Sequence, residues 1–247
     1  MIGWRAKIGL LVPSVNTVLE PEMAKLCSGL IDQGLAIYST RLHIPSEDIS
    51  EGKQEEVLEL LAEQIEKGAR ELEAAKVHVM LYGCTSGSFF KGADWDKEII
   101  RRIERVSKVF AVTPATGMLE ALETLGIKNV SVATPYSEAM NRKLEEFLQF
   151  HGFQVLNIDG LRCTNVHEIA QFPKSIVYEL ARGVNTPDAE SVLISCTNFP
   201  TIDIIEALEK DLGKPVITAN QALLWSALRK LGVHGSIEGY GQLLKNF

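Results

Sequence analysis

The two halves of the chain repeat one order of segments, and this duplication constrains the fold more than any other feature. The first half contains IGLLVPSVNTVLEPEM, then VMLYGCTSGSFF, then VFAVTPATGMLEALETLG. The second half contains VSVATPYSEAMNRKL, then VLISCTNFPTID, then PVITANQALLWSALRKLG. In each half one apolar segment ends at a small polar loop, a second ends at Cys-Thr, and a third ends at Thr before a helix closing in Leu-Gly. Such a repeat predicts two similar lobes.

Short apolar segments rich in β-branched residues alternate with longer helical patterns, which is typical of parallel α/β sheets. The predicted strands are 7–12, 36–40, 77–82, 109–112, 129–133, 154–158, 191–194 and 215–218. The predicted helices are 51–74, 140–151, 165–183 and 221–231. Because proline disrupts helix interiors, we expect Pro173 to shorten or kink the third helix.

These patterns predict an α/β fold of two pseudo-symmetric lobes, each a small parallel sheet flanked by helices. The predicted boundaries give one lobe 1–114 together with 222–247, and the other lobe 115–221. The first lobe carries Cys84 and the second carries Cys196. We expect the active site between the lobes.

The composition is that of a globular protein, with 46% apolar and 23% charged residues. The net charge of −7 and the lack of a Lys/Arg cluster argue against nucleic-acid binding. No apolar run reaches the about 18 to 20 residues of a membrane span, and no targeting segment is evident. The four cysteines, Cys27, Cys84, Cys163 and Cys196, form no CxxC pair and are interpreted as reduced thiols. We therefore expect a cytoplasmic protein with neither a membrane nor a nucleic-acid partner.

Several motifs of common enzyme classes are absent from the sequence. No GxGxxG follows a strand, and segment 83–88 lacks the Gly-Lys-Ser/Thr ending of a phosphate-binding loop. The five histidines show no HExxH or other metal-ligand spacing, and no GxSxG elbow is present. The sequence therefore predicts no metal site and no nucleotide site.

Cys84 and Cys196 occupy equivalent positions, each just after a predicted strand. Sites in open parallel sheets form at the carboxyl ends of the strands, so facing lobes would bring the two thiols together across a cleft. Small residues and a helix start after Cys84 are expected to attract an anion and to lower the pKa of its thiol. Two thiols on opposite faces of one carbon skeleton suit proton transfer, or thiolate addition coupled to proton transfer.

Other polar residues near these loops allow two interpretations each. Asn16 and Tyr136 follow the first strand of each half and could donate to a carboxylate, but Asn16 could equally cap a helix and Tyr136 could pack. For Asn165, capping the next helix is the stronger interpretation. Cys27 lies in a helix-like segment and is predicted to be core, and Cys163 is predicted to be structural.

The phrases VPSVNTVLEPE, YGCTSGS, VATPYSEAMN and SCTNFP resemble the maleate cis-trans isomerases and arylmalonate decarboxylases of the aspartate/glutamate racemase superfamily. The resemblance covers nearly the whole chain. It implies a cofactor-independent cis-trans isomerase of a small dicarboxylate, of the maleate-to-fumarate type. Cys84 as thiolate would add to the double bond, and rotation about the new single bond would follow. Cys196 would donate and accept the proton before elimination.

The resemblance also implies a set of substrate-binding residues and a homodimer or larger homo-oligomer. The implied carboxylate ligands are Asn16, Tyr136 and Asn165, with backbone or hydroxyl donors from Thr85, Ser86 and Thr197. The related decarboxylases have a glycine where Cys84 stands, so the presence of both thiols favours an isomerase or a racemase. Val15, where a second serine is common, and Phe199-Pro200 depart from the family pattern and leave the substrate open.

Three other functions remain open from the sequence alone. An amino-acid or hydantoin racemase would use the same thiols as a two-base pair. An arylmalonate-type decarboxylase would share the fold. A non-catalytic two-lobed binding protein is the third alternative, but it would have no use for paired thiols.

Overall fold

The computed structural model of the protein describes residues 2–45 and 53–247. Its strands are β1 (Ala6–Pro13), β2 (Leu35–Leu42), β3 (Val79–Tyr82), β4 (Phe110–Val112), β5 (Asn129–Thr134), β6 (Gln154–Gly160), β7 (Ser191–Ile194) and β8 (Val216–Thr218). They form two four-stranded parallel sheets, in the orders β2-β1-β3-β4 and β6-β5-β7-β8. The predicted fold of two similar α/β lobes is confirmed, and each predicted strand is present.

Helices flank both sheets. In the described residues they are α1 (Leu19–Leu26), α2 (Ser28–Ile31), α3 (Gln54–Glu63), α4 (Ile65–Ala74), α5 (Trp95–Ser107), α6 (Pro114–Thr124), α7 (Glu138–Phe150), α8 (Val166–Ile169), α9 (Lys174–Val184), α10 (Ile205–Leu212), α11 (Ala219–Lys230) and α12 (Gly241–Asn246). Within 2–45 and 53–247, none of them is both long and apolar enough to cross a membrane.

The inner strands of both sheets are buried on both faces. Every residue of β3 and β7 is buried, which explains their short, continuous apolar sequences. In β1, a Cβ on Gly9 would lie 3.1 Å from side-chain atoms of both Leu72 and Val77. The glycine therefore lets α4 pack closely on this strand.

Helices α6 and α11 pack against each other where the two lobes meet. A Cβ on Gly117 would lie only 2.9 Å from the carbonyl oxygen of Ala222, so this glycine permits the close approach of the two helices. Although α11 follows the last strand of the second sheet, it also packs on β3 and β4 of the first, while α12 packs on β8 and α10. The lobe boundaries at 114/115 and 221/222 stay a prediction.

The single helix predicted over 51–74 is wrong, because α3 ends at Glu63 and α4 begins at Ile65. Residues 51 and 52 lie outside the described residues. At the break, the backbone N–H of Gln64 donates to Leu61 rather than to Leu60, at 3.1 Å. The Gln64 side chain instead pairs with both backbone groups of His43, accepting from its N–H at 2.8 Å. The break is confined to Gln64, and its side chain makes a tertiary contact at that point.

The helix predicted over 165–183 is also two helices. Proline has no N–H to donate and its ring would clash with a preceding turn, so α8 ends at Ile169 and Pro173 stands just before α9. The predicted effect of Pro173 is therefore confirmed as a complete break.

Candidate active site

A cavity lies between the lobes at the carboxyl ends of the strands, and both Cys84 and Cys196 line it. The other lining residues are Pro13, Val15, Asn16, Ile44, Gln54, Val57, Leu58, Leu61, Gly83, Thr85, Ser86, Tyr136, Val166, Ile169, Thr197 and Asn198. The cavity measures about 60 Å³, which is room for only a few water-sized groups. Of the described residues that line it, none carries a formal charge. A small ligand here would be bound by neutral donors.

The loop after β3 places Cys84 at the cavity. Gly83 follows the strand, and a short 3-10 helix, Ser86–Ser88, turns the chain back so that the Ser86 hydroxyl lies 3.9 Å from the Cys84 sulfur. A Cβ on Gly87 would lie 2.9 Å from that sulfur and 2.6 Å from the hydroxyl oxygen of Tyr82. Only glycine leaves room for the thiol at this position.

Burial raises the pKa of the Cys84 thiol. The backbone N–H of Gly87 and the hydroxyls of Ser86 and Tyr82 oppose this shift without reversing it. The sequence-based expectation of a lowered thiol pKa is therefore wrong in its net direction. The small residues do supply the expected donors, but desolvation outweighs them because packed side chains surround the half-buried thiol.

Cys196 follows β7 and Ser195, and its backbone φ is +154°, a conformation that side-chain-bearing residues seldom adopt. Burial raises the pKa of its thiol to about 12, against the backbone N–H of Asn198 and the hydroxyl of Tyr136, which lower it. The nearby Cys84 raises the same pKa further. Cys196 is thus a protonated thiol at neutral pH and suited to donate a proton.

Several buried hydroxyls around the two thiols make no hydrogen bond to a nitrogen or oxygen atom of the described residues. They belong to Tyr82, Thr85, Tyr136 and Ser195. Buried polar groups without partners are uncommon and costly, so such a cluster beside one cavity indicates a place for a polar ligand. Burial raises the pKa of Tyr136 well above its usual range, which keeps its hydroxyl a donor.

Asn16 and Thr197 join the two lobes at the edge of the cavity. The Asn16 side-chain N–H donates to the Thr197 hydroxyl oxygen at 3.1 Å, and that hydroxyl donates to the carbonyl of Gly83 at 2.8 Å. The Asn16 side-chain oxygen accepts from the backbone N–H groups of Val18 and Leu19, at 3.0 and 2.9 Å. Asn16 therefore holds the start of α1 and the lobe interface as well as lining the cavity.

The structure brings seven of the eight sequence-predicted site residues to this cavity, and Asn165 is the exception. Its side chain is exposed and accepts the backbone N–H of His167 at 2.9 Å, capping α8. Its neighbour Val166 lines the cavity in its place. A role for Asn165 in binding substrate stays a prediction.

Sequence reasoning missed the apolar wall of the cavity. Ile44, Leu61 and Ile169 line it opposite the polar loops. Leu61 and Ile169 lie in helices and Ile44 follows β2. An apolar residue at such a position has the same sequence signal whether it belongs to the core or to a cavity wall. Across 2–45 and 53–247, no group of three or more His, Cys, Asp or Glu side chains is placed to hold a metal ion.

Comparison with known proteins identifies a matching family and several relatives. The family profile described as arylmalonate decarboxylase matches residues 8–244. The maleate isomerase of Nocardia farcinica is 26% identical over 97% of this chain and 95% of its own. The arylmalonate decarboxylase of Bordetella bronchiseptica is 27% identical over 96% of this chain and 95% of its own. A solved structure of a Nocardia farcinica maleate cis-trans isomerase, a cysteine-to-serine variant with a covalently bound succinylcysteine intermediate, has a TM-score of 0.91 at 24% identity, covering 98% and 99%.

Proposed function

Since this chain belongs to the arylmalonate decarboxylase family, we propose that it is a cysteine-dependent cis-trans isomerase that converts maleate to fumarate without a cofactor. The observation that carries the proposal is the pair of thiols, one from each lobe, in one uncharged cavity of small volume. We propose maleate as the substrate because the Nocardia farcinica relative is a maleate isomerase.

Cys84 is the proposed nucleophile. It reacts as its thiolate, the minor form at neutral pH, after its proton has passed to solvent. The thiolate attacks one carbon of the double bond, and the carbon–sulfur bond forms as the π electron pair moves to the neighbouring carbon. That carbon takes the proton of the Cys196 thiol, which becomes a thiolate. The product of this step is a succinyl group on the Cys84 sulfur, and the former double bond is now a single bond about which it can rotate.

Elimination reverses these steps after rotation. The Cys196 thiolate removes a proton from the same carbon, the double bond reforms in the trans geometry, and Cys84 leaves as a thiolate. Protons and electrons balance with no further reagent. The high pKa of Cys196 supports its part, because a weakly acidic thiol holds its proton until the neighbouring carbon becomes strongly basic.

Neutral donors on both lobes are proposed to bind the carboxylates. Thr85 and Ser86 donate hydrogen bonds to the carboxylate nearer Cys84, and the Tyr136 hydroxyl donates to the carboxylate nearer Cys196. The unpartnered hydroxyls of Thr85 and Tyr136 support this assignment, because a carboxylate would supply the missing acceptors. Asn16 and Thr197 hold the two cysteine loops together. Asn165 would have to give up its capping hydrogen bond to α8 before it could bind a carboxylate.

The apolar wall favours a second candidate function, the decarboxylation of a malonate with an apolar substituent. Ile44, Leu61 and Ile169 would surround such a substituent. The relative from Bordetella bronchiseptica is an arylmalonate decarboxylase. The presence of Cys84 favours the isomerase. A racemase on the same two thiols remains the third candidate, and incubation with chiral amino acids and hydantoins tests it.

We also propose that the protein works in the cytoplasm as a homo-oligomer with a small carboxylate as its only partner. The four free cysteines support a reducing compartment. Large exposed apolar side chains, among them Trp4, Phe110 and Phe150, support contacts between copies. Light scattering on the purified protein measures the oligomeric state, and a monomer would contradict this part of the proposal.

Trapping the covalent adduct tests the proposed chemistry. In Cys196→Ser the serine hydroxyl or water can still give the carbanion its proton, but no thiolate is present to remove that proton again. Incubation with maleate should therefore leave a succinyl group on Cys84. Mass spectrometry of the intact protein and of its peptides locates the added mass. Cys27→Ala, which removes a buried cysteine outside the cavity, is the matched control and should convert maleate without forming an adduct.

An assay with phenylmalonate tests the decarboxylase function. Release of carbon dioxide with no reaction of maleate would overturn the isomerase proposal.

A further inference from the structure

Glu22 is a buried carboxyl group that the proposed reaction does not use. It lies in α1 of the first lobe, 8% exposed, and does not line the cavity. Its carboxylate reaches across to the second lobe and accepts the backbone N–H groups of Thr201 and Ile202, at 2.6 and 3.1 Å. These two residues end the segment that begins at Cys196.

Asn220 extends the contact of Glu22 to the other end of that segment. The Asn220 side-chain N–H group donates to the Glu22 carboxylate at 2.7 Å and to the carbonyl of Thr197 at 3.1 Å. Thr197 directly follows Cys196 in the chain. One carboxylate therefore fixes segment 196–202 at both of its ends, directly at Thr201 and through Asn220 at Thr197.

The partners of Glu22 indicate that this position requires a hydrogen-bond acceptor. Burial is the largest effect on the Glu22 pKa and raises it, and Asp203 raises it further, while Asn220, Thr201 and Ile202 lower it. In the described part of the chain no Lys or Arg pairs with Glu22. Its partners are all N–H or O–H donors, so the position needs two acceptor oxygens rather than a negative charge paired to a positive one.

We propose that Glu22 is a positioning residue that sets the Cys196 loop for proton transfer. The inference rests on the proposed function, in which Cys196 gives a proton to the substrate carbon and takes it back. Proton transfer requires donor and acceptor within hydrogen-bond reach, so a small displacement of the loop slows this step more than it weakens substrate binding.

Replacing Glu22 by glutamine tests the acceptor requirement with almost no change of shape. The new side-chain NH₂ group must face a donor, either the backbone N–H groups at Thr201 and Ile202 or the amide of Asn220. The oxygen of the Asn220 amide has no partner among the described residues, so this amide can turn to accept the new N–H. Turning removes its N–H from the Thr197 carbonyl and frees that end of the Cys196 loop.

The experiment compares Glu22→Gln with Glu20→Gln, a change of the same kind two residues earlier in α1. Glu20 pairs with Arg41 and Ser39, and none of its described hydrogen bonds goes to segment 196–202. Maleate kinetics and the alkylation rates of both thiols by iodoacetamide, located by peptide mass spectrometry, are the readouts. For Glu22→Gln we expect kcat to fall about tenfold or more with KM within about twofold, and the ratio of Cys196 to Cys84 alkylation to change. Glu20→Gln should match the wild type.

Three outcomes would overturn the proposal. Wild-type kcat in Glu22→Gln is the first, and an equal change at both thiols, as expected of general loosening, is the second. If Glu22→Gln fails to fold, Asn220→Ala is the second variant. It removes the hydrogen bonds of Asn220 to Glu22 and to Thr197 and leaves those of Glu22 to Thr201 and Ile202. It should show the same loss of kcat, and an unchanged kcat is the third outcome. Inactivity of the wild type toward maleate would contradict the proposed function instead, and the alkylation ratio then still tests the positioning role.

Discussion

The side-chain amide of Asn16 donates to the hydroxyl of Thr197 across the two lobes, at 3.1 Å, beside the two thiols of the cavity. The Thr197 hydroxyl in turn donates to the carbonyl of Gly83. Hydrogen bonds therefore join Gly83, next to Cys84, to Thr197, next to Cys196. The distance between the thiols therefore depends on contacts that lie beside them.

Asn16→Ala should cost about 1 to 3 kcal/mol of unfolding free energy, because it leaves buried donors and an acceptor without partners. It should also lower kcat, since the two cysteine loops lose their connection. Urea unfolding and maleate kinetics measure both effects. Asn246→Ala, an exposed position near the end of α12, is the control. An Asn16→Ala protein with wild-type stability and kcat would contradict the role of this contact.

Gly87→Ala should strongly reduce activity while the protein still folds. The added methyl group would meet the Cys84 sulfur at 2.9 Å and the Tyr82 hydroxyl at 2.6 Å, so the thiol must move. Gly183→Ala in α9 meets nothing within 4 Å and should leave activity unchanged. Thermal unfolding and the rate of Cys84 alkylation separate a displaced thiol from a destabilised protein. Equal activity of the two variants would show that the cavity does not need glycine at position 87.

The reactivity of both thiols should keep rising with pH above neutrality. Burial raises the pKa of Cys84 above its usual range and that of Cys196 to about 12, so at neutral pH both are mainly protonated. The alkylation rate of each should then rise about tenfold per pH unit between about pH 7 and 8, since only the thiolate reacts. Cys84, the more exposed of the two, should react first. A rate that is already constant with pH in this range would mean that the thiol is ionised at rest.

Tyr136→Phe should lower kcat/KM without lowering stability. The Tyr136 hydroxyl is buried and makes no hydrogen bond to a nitrogen or oxygen atom of the described residues. Its interaction with the Cys196 thiol is a weak one, so its removal costs the protein little, while a bound carboxylate would lose a donor. The melting temperature and kcat/KM test the two halves of this expectation. Tyr178→Phe, which removes a surface hydroxyl bonded to Asp211, is the control. A large drop in melting temperature for Tyr136→Phe would point to a structural role.

The sequence was sufficient to predict both sheets, because buried parallel strands have short apolar segments that differ clearly from the helices between them. It also predicted that Cys84 and Cys196 would share a cavity, because equivalent positions in a duplicated fold face each other across its pseudo-twofold axis. The break at Gln64 was missed, since it depends on a contact with His43 that no local pattern contains.

The thiol pKa values and the role of Glu22 show where sequence reasoning ends. Loop composition correctly gave the donors around Cys84, but the extent of burial is set by the packing of two lobes. Glu22 and Asn220 lie 198 positions apart in the chain. From the sequence alone, Glu22 is indistinguishable from an ordinary charged residue at the start of a helix. Contacts across the lobe interface are visible only once the fold brings them together.

The most direct test of the two-thiol isomerase is a proton NMR time course of the reduced protein with maleate, without added metal or cofactor. The account predicts that the maleate signal decays as the fumarate signal grows, and that no fumarate appears with Cys84→Ser or Cys196→Ser protein of wild-type fold. Conversion at the wild-type rate by either variant, or no conversion by the wild type, would contradict it.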